Sequence, residues 1–544
     1  MKKKIILIII LALFLMSGCE TKLPEAKLEI EEITEDYKSI EFKDVSYDKT
    51  NTIRIPVYNL NYINPFFPND KSEVGIYSLL YENLFSYEEN KIKPILAKSY
   101  SINSEENKID VFLKEGIEWK DGEALNADDV IFTYKSILNA DDEMPYKKWI
   151  SSIFYDDYKN SSIAKNIKIK KIDDYHIEFG LSELPRKVEN MFIMPIMPEH
   201  VFKELDLAKD KEKMVDKNKL YGTGPYYISN IIKLKKIEML KNPNYRMKDN
   251  QVEKIEAIIV KDYSANIALF KSELTDLAFY YESNWQHLVE DKKINVIPYG
   301  GERFLMMGFN PESNIFKKGD ISLKKAIYSI IDREELVKEN FSEKAIVGNF
   351  PEVMNQEYNV NLNKWALKIY FSDYMKESGY QYNVIENKWV NNNSTCKVKI
   401  AYNIYWEQDY KCALSIKSKL EENGIEVELL KYDKYIKDAL DKECDIVLFS
   451  YDPGINTDDI NLFRLKNLEV ENKDLDLILD KVKLKENNEL NSIIEMYGMY
   501  LNNPSVLPIL KTEEVVLVNQ RINIIKNNKT YNAYDLLKSI EIIN

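Results

Sequence analysis

Residues 111–138 read VFLKEGIEWKDGEALNADDVIFTYKSIL, and two periodicities meet inside them. The first half alternates apolar and polar residues and predicts a strand reaching Trp119. Asp121-Gly122 then supplies a turn, and Asn126 stands where a helix N-cap belongs, with Asp128 and Asp129 in the first turn to oppose the helix dipole. Beyond it Val130, Ile131, Tyr134, Ile137 and Leu138 recur at helical spacing, so one face of a helix is expected to bury against the preceding sheet. A strand, a tight turn and a capped amphipathic helix within 28 residues make this a mixed α/β chain, and the stretch reads as scaffold.

The same texture continues on both sides. A strand is expected near Thr52–Tyr58. Tyr221-Gly222-Thr223-Gly224-Pro225-Tyr226 demands a tight bend before a strand at Tyr226–Asn230 and a second β-rich segment at Lys236–Leu240. A phosphate-cradling glycine loop would instead lead into a helix, so the bend reads as structural. With 544 residues the chain exceeds what one core supports, and two or three lobes are expected.

The amino terminus has its own logic. Lys2, Lys3 and Lys4 precede an apolar run from Ile5 to Met16, and Met16-Ser17-Gly18-Cys19 forms a small-residue cleavage site ending in cysteine. This is a signal peptide over residues 1–18 with the look of a lipobox, predicting cleavage before Cys19 and lipidation of its thiol. Residues 19–48, rich in Glu and Lys, read as a flexible tether. The protein is therefore expected on the extracytoplasmic face of a cell membrane, held by acyl chains rather than by a span.

Composition narrows the chemistry. The net charge of −14, which becomes −17 once the three n-region lysines leave, argues against nucleic acid. Beyond Cys19 only Cys396, Cys412 and Cys444 remain, without CxxC or zinc spacing, and read as buried free thiols, with one bridge among the three as the alternative. His176, His200 and His287 are scattered and outside any HExxH pattern, so no metal and no cofactor is expected. The chain lacks GxSxG, P-loop and dinucleotide fingerprints, and a secreted hydrolase would have to build a triad from one of those three histidines. The many tyrosines, 37 of them, suit a wide cleft with amphipathic walls.

Six segments in order resemble the family 5 solute-binding proteins of ABC importers, the oligopeptide-, dipeptide- and nickel-binding group. Tyr77–Ser99 is similar to the family's helix and "P-x-L-A" entry, and WKDGEALNADDVIFTY to its "D-G-x-x-L-T-A-E-D-V-x-F-T" signature. Met197–Val201 echoes a "P-x-H" turn, YGTGPY matches "G-T-G-P-Y", Lys241–Tyr245 resembles "R-N-P-x-Y", and Phe309-Asn310 with Ser322–Glu334 resembles "F-N … A-I-D-R-E". Departures fall in the last third. Where the family often carries "W-x-A-D-Y", this chain has Phe449-Ser450-Tyr451-Asp452-Pro453-Gly454, followed by Asn456, Asp458 and Asp459.

The resemblance implies a two-lobed periplasmic-binding-protein type II fold with an extra subdomain inserted in lobe one. Lobe one would span 49–300, with the insert near 76–195, lobe two 301–511, and residues 512–544 would return to lobe one. It also implies a binding protein without a chemical step, acting as a monomer that captures a peptide by lobe closure and hands it to an ABC permease. Strand edges near Asn64, Phe66 and Ser450-Tyr451-Asp452 match the family's cleft-lining positions. A buried carboxylate, Asp452 first and Asp458 second, would meet a peptide's ammonium, and Arg303 or Arg464 its carboxylate. Arg333 reads as an ion-pair scaffold, while Trp285 and Trp406 serve either ligand stacking or the core. A nickel-chelate or other small-ligand receptor, or a peptide-pheromone receptor, are the alternatives within the same fold.

Overall fold

The computed structural model of the chain describes residues 51–58, 63–68, 71–88, 91–141, 144–154, 166–185, 188–205, 215–247, 252–280, 294–316, 321–341, 345–347, 368–392, 394–404, 407–433, 436–451, 503–524, 536–538 and 540–543. Cys19 and the expected tether lie outside them. Strand β1 (Thr52–Tyr58) and helix α1 (Lys71–Leu80) come first. Strands β2 (Ala97–Asn103) and β3 (Lys108–Leu113), helix α2 (Ala127–Leu138), and strands β4 (Lys168–Asp173) and β5 (His176–Gly180) follow, the four strands making an antiparallel sheet ordered β2-β3-β5-β4. The chain then returns with β6 (Tyr226–Ile232), β7 (Lys236–Lys241) and β8 (Lys254–Val260), which join β1 in the order β1-β8-β7-β6.

Helix α3 (Tyr263–Lys271) leads to a seven-stranded sheet built from β9 (Leu277–Tyr280), β10 (Ile294–Phe309), β11 (Ala345–Val347), β12 (Lys397–Asn403), β13 (Glu426–Tyr432), β14 (Ile446–Tyr451) and β15 (Val506–Asn519). Its order is β9-β15-β10-β14-β12-β13, with β11 paired to β15. Helix α4 (Glu407–Glu422) is the crossover between the parallel strands β12 and β13.

Two large cores result. Ile53, Tyr77, Trp119, Tyr134, Phe192, Met239 and Val516 belong to one, and Phe304, Ile327, Cys412, Ile446 and Leu510 to the other. Strands β10 and β15 run antiparallel through both: Met307 pairs with Leu507 in the second core, and Ile297 with Val516 at the first. Between these ends the register shifts across Tyr299 and Glu302, where Gly300 and Gly301 stand.

The quoted segment folds largely as its pattern dictates. Helix α2 begins after Asn126, whose Oδ1 accepts the Asp128 N–H at 2.7 Å while the Asp129 carboxylate accepts the Asn126 N–H at 3.1 Å, a reciprocal capping box. Val130, Tyr134 and Ile137 are buried. The strand, however, stops at Leu113 and does not reach Trp119. Gly116 takes φ +72°, and Trp119 instead closes a turn, its N–H donating to Glu123 O at 2.8 Å and its carbonyl accepting from Gly122. The indole is fully buried and donates to Asp129 Oδ2 at 3.2 Å, and Asp129 Oδ1 also accepts the Glu199 N–H. Burial pushes the Asp129 carboxyl up against the pull of these donors. Asn126→Ala removes one side of the box and is expected to lower stability by about 1 kcal/mol, read as a shift in the urea midpoint with unchanged slope.

The YGTGPY bend leads into the β6–β7 hairpin. Its glycines answer to something remote. A Cβ on Gly222 would lie 2.1 Å from Leu80 O, and one on Gly224 would lie 2.6 Å from Leu79 O. Neither has a positive φ. The segment lies directly on the C-terminal carbonyls of α1, with the Gly224 N–H donating to Leu80 O at 2.9 Å and satisfying an acceptor that the helix end leaves open.

Candidate functional site

In open α/β sheets, ligands bind outside the carboxyl ends of parallel strands, where crossover helices begin. In the second core those ends are Asn403, Tyr432 and Tyr451, and α4 starts beside them. Strand β10 runs antiparallel to β14 with Phe304 opposite Tyr451 and Leu305 opposite Ser450, which brings Arg303 to the same edge. Arg303 Nη2 lies 3.5 Å from Asp409 Oδ1 and donates to Ser450 Oγ, and Ser450 Oγ is 3.3 Å from Asp409 Oδ2. The pair is nearly closed off, with the side chains of Arg303 and Asp409 exposed by 10% and 4%. Burial pushes the Asp409 carboxyl up to about 6, and Arg303 and Ser450 only partly offset it.

Beside this cluster the Tyr402 and Tyr410 rings approach to 4.9 Å at an interplanar angle of 30°. Tyr402 is buried, whereas Tyr410, Leu414 one turn further along α4, and Ile404 are exposed. Tyr451 is half-buried at the end of β14. The edge therefore combines a guanidinium, a carboxyl and an aromatic shelf.

In the first core, β1 and β8 are parallel and end at Tyr58 and Val260, where α1 and α3 begin. The Tyr58 N–H donates to Ser72 Oγ at 2.9 Å and Asn266 Nδ2 donates to the Tyr58 hydroxyl at 2.8 Å. Asn64 follows this strand end, where its Oδ1 accepts the Phe66 N–H at 3.0 Å and its carbonyl accepts that of Phe67. Phe66 is placed as a core ring rather than along a strand edge, lying edge-on to Phe132 and Phe202 with centroids 6.4 Å away.

Asp452, Asp458, Arg464, Trp285, Trp406 and His287 lie outside the described residues. Arg333 is buried with its guanidinium over the Tyr328 ring at 5.3 Å. Sequence reasoning passed over Asp409, Tyr402 and Tyr410. Asp409 had a signal: it stands three and four positions before Cys412 and Ala413, on the stripe that continues through Ile416 and Leu420, all fully buried. An acid on an apolar helix face needs a partner.

Several of the family-like motifs meet elsewhere, as scaffold. Asp121 Oδ2 is 2.8 Å from His200 Nε2 and accepts from the Tyr221 hydroxyl at 2.8 Å, so the DG turn, the P-x-H turn and the glycine bend converge on one carboxylate. Burial raises that carboxyl, but the bonds from Tyr221 and His200 outweigh it and hold it below the usual range. Asn242 Nδ2 donates to Gly224 O at 2.8 Å, and Asn244 Nδ2 to Lys120 O at 3.2 Å. His176 is likewise carboxylate-paired, 2.7 Å from Asp110 and stacked on Phe112. Cys396, Cys412 and Cys444 are buried free thiols, and burial pushes all three up. Among the described residues, no group of three or more His, Cys, Asp or Glu is placed to hold a metal ion, and no helix is long and apolar enough to cross a membrane.

The chain is similar to the oligopeptide-binding protein AppA of Bacillus subtilis, 23% identical over 294 residues that cover 53% of this chain and 51% of that protein. The chain thus spans about half the length of that relative. It is also 23% identical over 417 residues to the dipeptide-binding protein of Escherichia coli, covering 72% of this chain and 73% of that one. The fold superposes on the structure of B. subtilis AppA in complex with a nonapeptide with a TM-score of 0.68 at 16% identity, covering 91% of this chain and 100% of that one, so the architecture is the two-lobed binding-protein fold. Residues 91–471 match the model of the bacterial extracellular solute-binding proteins, family 5, and the chain belongs to that family.

Proposed function

We propose that this protein is a lipid-anchored receptor that captures peptides outside the cell and delivers them to an ABC permease. The observation that carries the reading is the pair of parallel-strand ends, one on each core, joined by β10 and β15. Peptide-binding names among its relatives supply the ligand class. The cores are lobe one and lobe two, with the chain crossing near 300 and returning near 512, and the register shift across Tyr299 and Glu302 is where closure bends the strands. Cys19 carries the lipid, residues 19–48 space the globule from the membrane, and the receptor acts as a monomer.

Within the cleft, main-chain hydrogen bonds at the strand ends give affinity without side-chain preference. Arg303 receives the peptide carboxylate, Asp452 or Asp458 the ammonium, Tyr451 and the Tyr402–Tyr410 shelf pack on side chains, and Asn64 shapes the facing loop with Phe66 supporting it from below. Mass spectrometry of the small molecules released when the chain from residue 20 is purified and denatured tests the class. A ladder of short peptides is expected. A metal chelate would redirect the reading to nickel-type transport, and a single defined peptide to signalling.

The ammonium role has its own test. Asp452→Asn is expected to weaken free-amine peptides by about 2–5 kcal/mol and N-acetylated ones far less, because only the former leave a charge unpaired. Equal losses in a calorimetric titration would remove Asp452 from the role.

A further inference from the structure

We infer that Asp409 is the built-in counter-anion of Arg303: a carboxylate on the ligand takes its place at the guanidinium, and Asp409 takes up a proton from solvent as it is released. This rests on the reading of the β12–β14 edge as the ligand site. The geometry shows a pair made to be broken. Arg303 Nη2 lies 3.5 Å from Asp409 Oδ1, longer than a charge-assisted hydrogen bond, and the Ser450 hydroxyl sits closer to the same nitrogen. A guanidinium holds a carboxylate best in a two-point fork, a geometry that the 3.5 Å approach of Asp409 does not make. The arginine side chain is also the more accessible of the two, 10% exposed against 4%. A ligand would therefore reach the cation from the strand-end side, where Tyr410 and Ile404 are exposed, while the acid stays enclosed.

An enclosed carboxylate that loses its cation cannot stay ionised at that depth, and protonation is the least costly exit. Burial pushes the Asp409 carboxyl up to about 6 even with Arg303 beside it, so losing the cation favours the neutral acid further. Ser450 stays beside the neutral acid, able to accept a hydrogen bond from its O–H or to donate one to its carbonyl. The other groups facing it do not compete for protons near neutrality. Burial pushes the Cys412 thiol up on α4, and it pushes up the Tyr432 phenol on β13, whose hydroxyl donates to Leu448 O at 2.9 Å. The proton taken up is Asp409's.

Carboxylate binding should then absorb close to one proton per ligand above pH 6. Affinity is expected to fall about tenfold per pH unit from there until the acid of the complex itself titrates. Difference infrared spectroscopy on the full mature chain at pH 7.5 reads this directly, with acetate, trialanine and trialanine amide as probes. Acetate or trialanine should raise a protonated-carboxyl band that shifts with 13C-aspartate labelling, the amide should not, and Asp409→Asn should abolish both the band and the pH slope. If that variant does not fold, the labelled wild-type band and slope decide alone. Binding of either carboxylate without the band, a band with a pH-independent affinity, or no response to either probe would overturn the inference. A band with acetate while trialanine fails to bind would keep it and remove the peptide reading instead.

Discussion

Gly222→Ala is expected to cost at least about 3 kcal/mol, at or beyond the upper end of ordinary overpacking. The added Cβ would meet Leu80 O at 2.1 Å, Tyr81 Cδ1 at 2.7 Å and the Leu80 carbonyl carbon at 2.9 Å. Two of those atoms are backbone at the end of α1, so neither can swing aside, and relief requires prising the bend off the helix. That in turn breaks the Gly224 N–H to Leu80 O bond and loosens the Tyr221–Asp121 contact. Gly180→Ala is the control, since its Cβ would meet Lys168 Cβ at an ordinary 3.6 Å and a change within about 0.5 kcal/mol is expected. Urea midpoints of the two variants measured together decide the matter, and similar midpoints would mean that the bend relaxes freely.

Arg303→Ala should cost about 3–5 kcal/mol at neutral pH, because Asp409, left in the core without its cation, must either hold a buried charge or take up a proton that the unfolded chain would not bind. The loss should depend on pH with a definite sign. The folded-state value of Asp409 is raised from 3.8 to about 6, so between those values the native state binds more protons than the unfolded chain and stability falls as pH rises. Removing Arg303 takes away a lowering influence, extends that window above 6, and makes the variant close to wild type at pH 4 and weakest at pH 8. Arg303→Met combined with Asp409→Leu should recover most of the stability and flatten this contribution, since replacing both members of a buried pair by apolar groups is often neutral. Urea midpoints at pH 4, 6 and 8 read all three proteins. A loss from Arg303→Ala that is the same at every pH would mean that packing, not charge, is what the arginine supplies.

Local chemistry was legible wherever one segment decided its own conformation. Thr52–Tyr58 is a strand as its pattern predicts, and α2 starts after Asn126 because the cap, the first-turn acids and the apolar spacing agree within a dozen residues. The family resemblance, carried by short motifs in register, led to the two-lobed architecture. The strand expected to reach Trp119 failed for a local reason too, since Gly116 at positive φ turns the chain after Leu113 and leaves Trp119 to be recruited by Asp129.

What escaped the sequence was set by partners distant along the chain. A bend at Gly222 and Gly224 is readable, but not that Leu79 and Leu80 lie against it from more than a hundred residues away. Asn64 and Phe66 read as a cleft edge, and only packing against Phe132 and Phe202 turns Phe66 inward. Arg303 stands out as one of seven arginines, yet its counter-charge is 106 residues further on. Periodicity and capping are properties of neighbours in sequence, so the sequence alone determined most of the elements and pointed to the family. Close approach, ion pairing and burial depend on which segments a fold brings together, so the tertiary structure alone decided which glycines are irreplaceable and which acid meets Arg303.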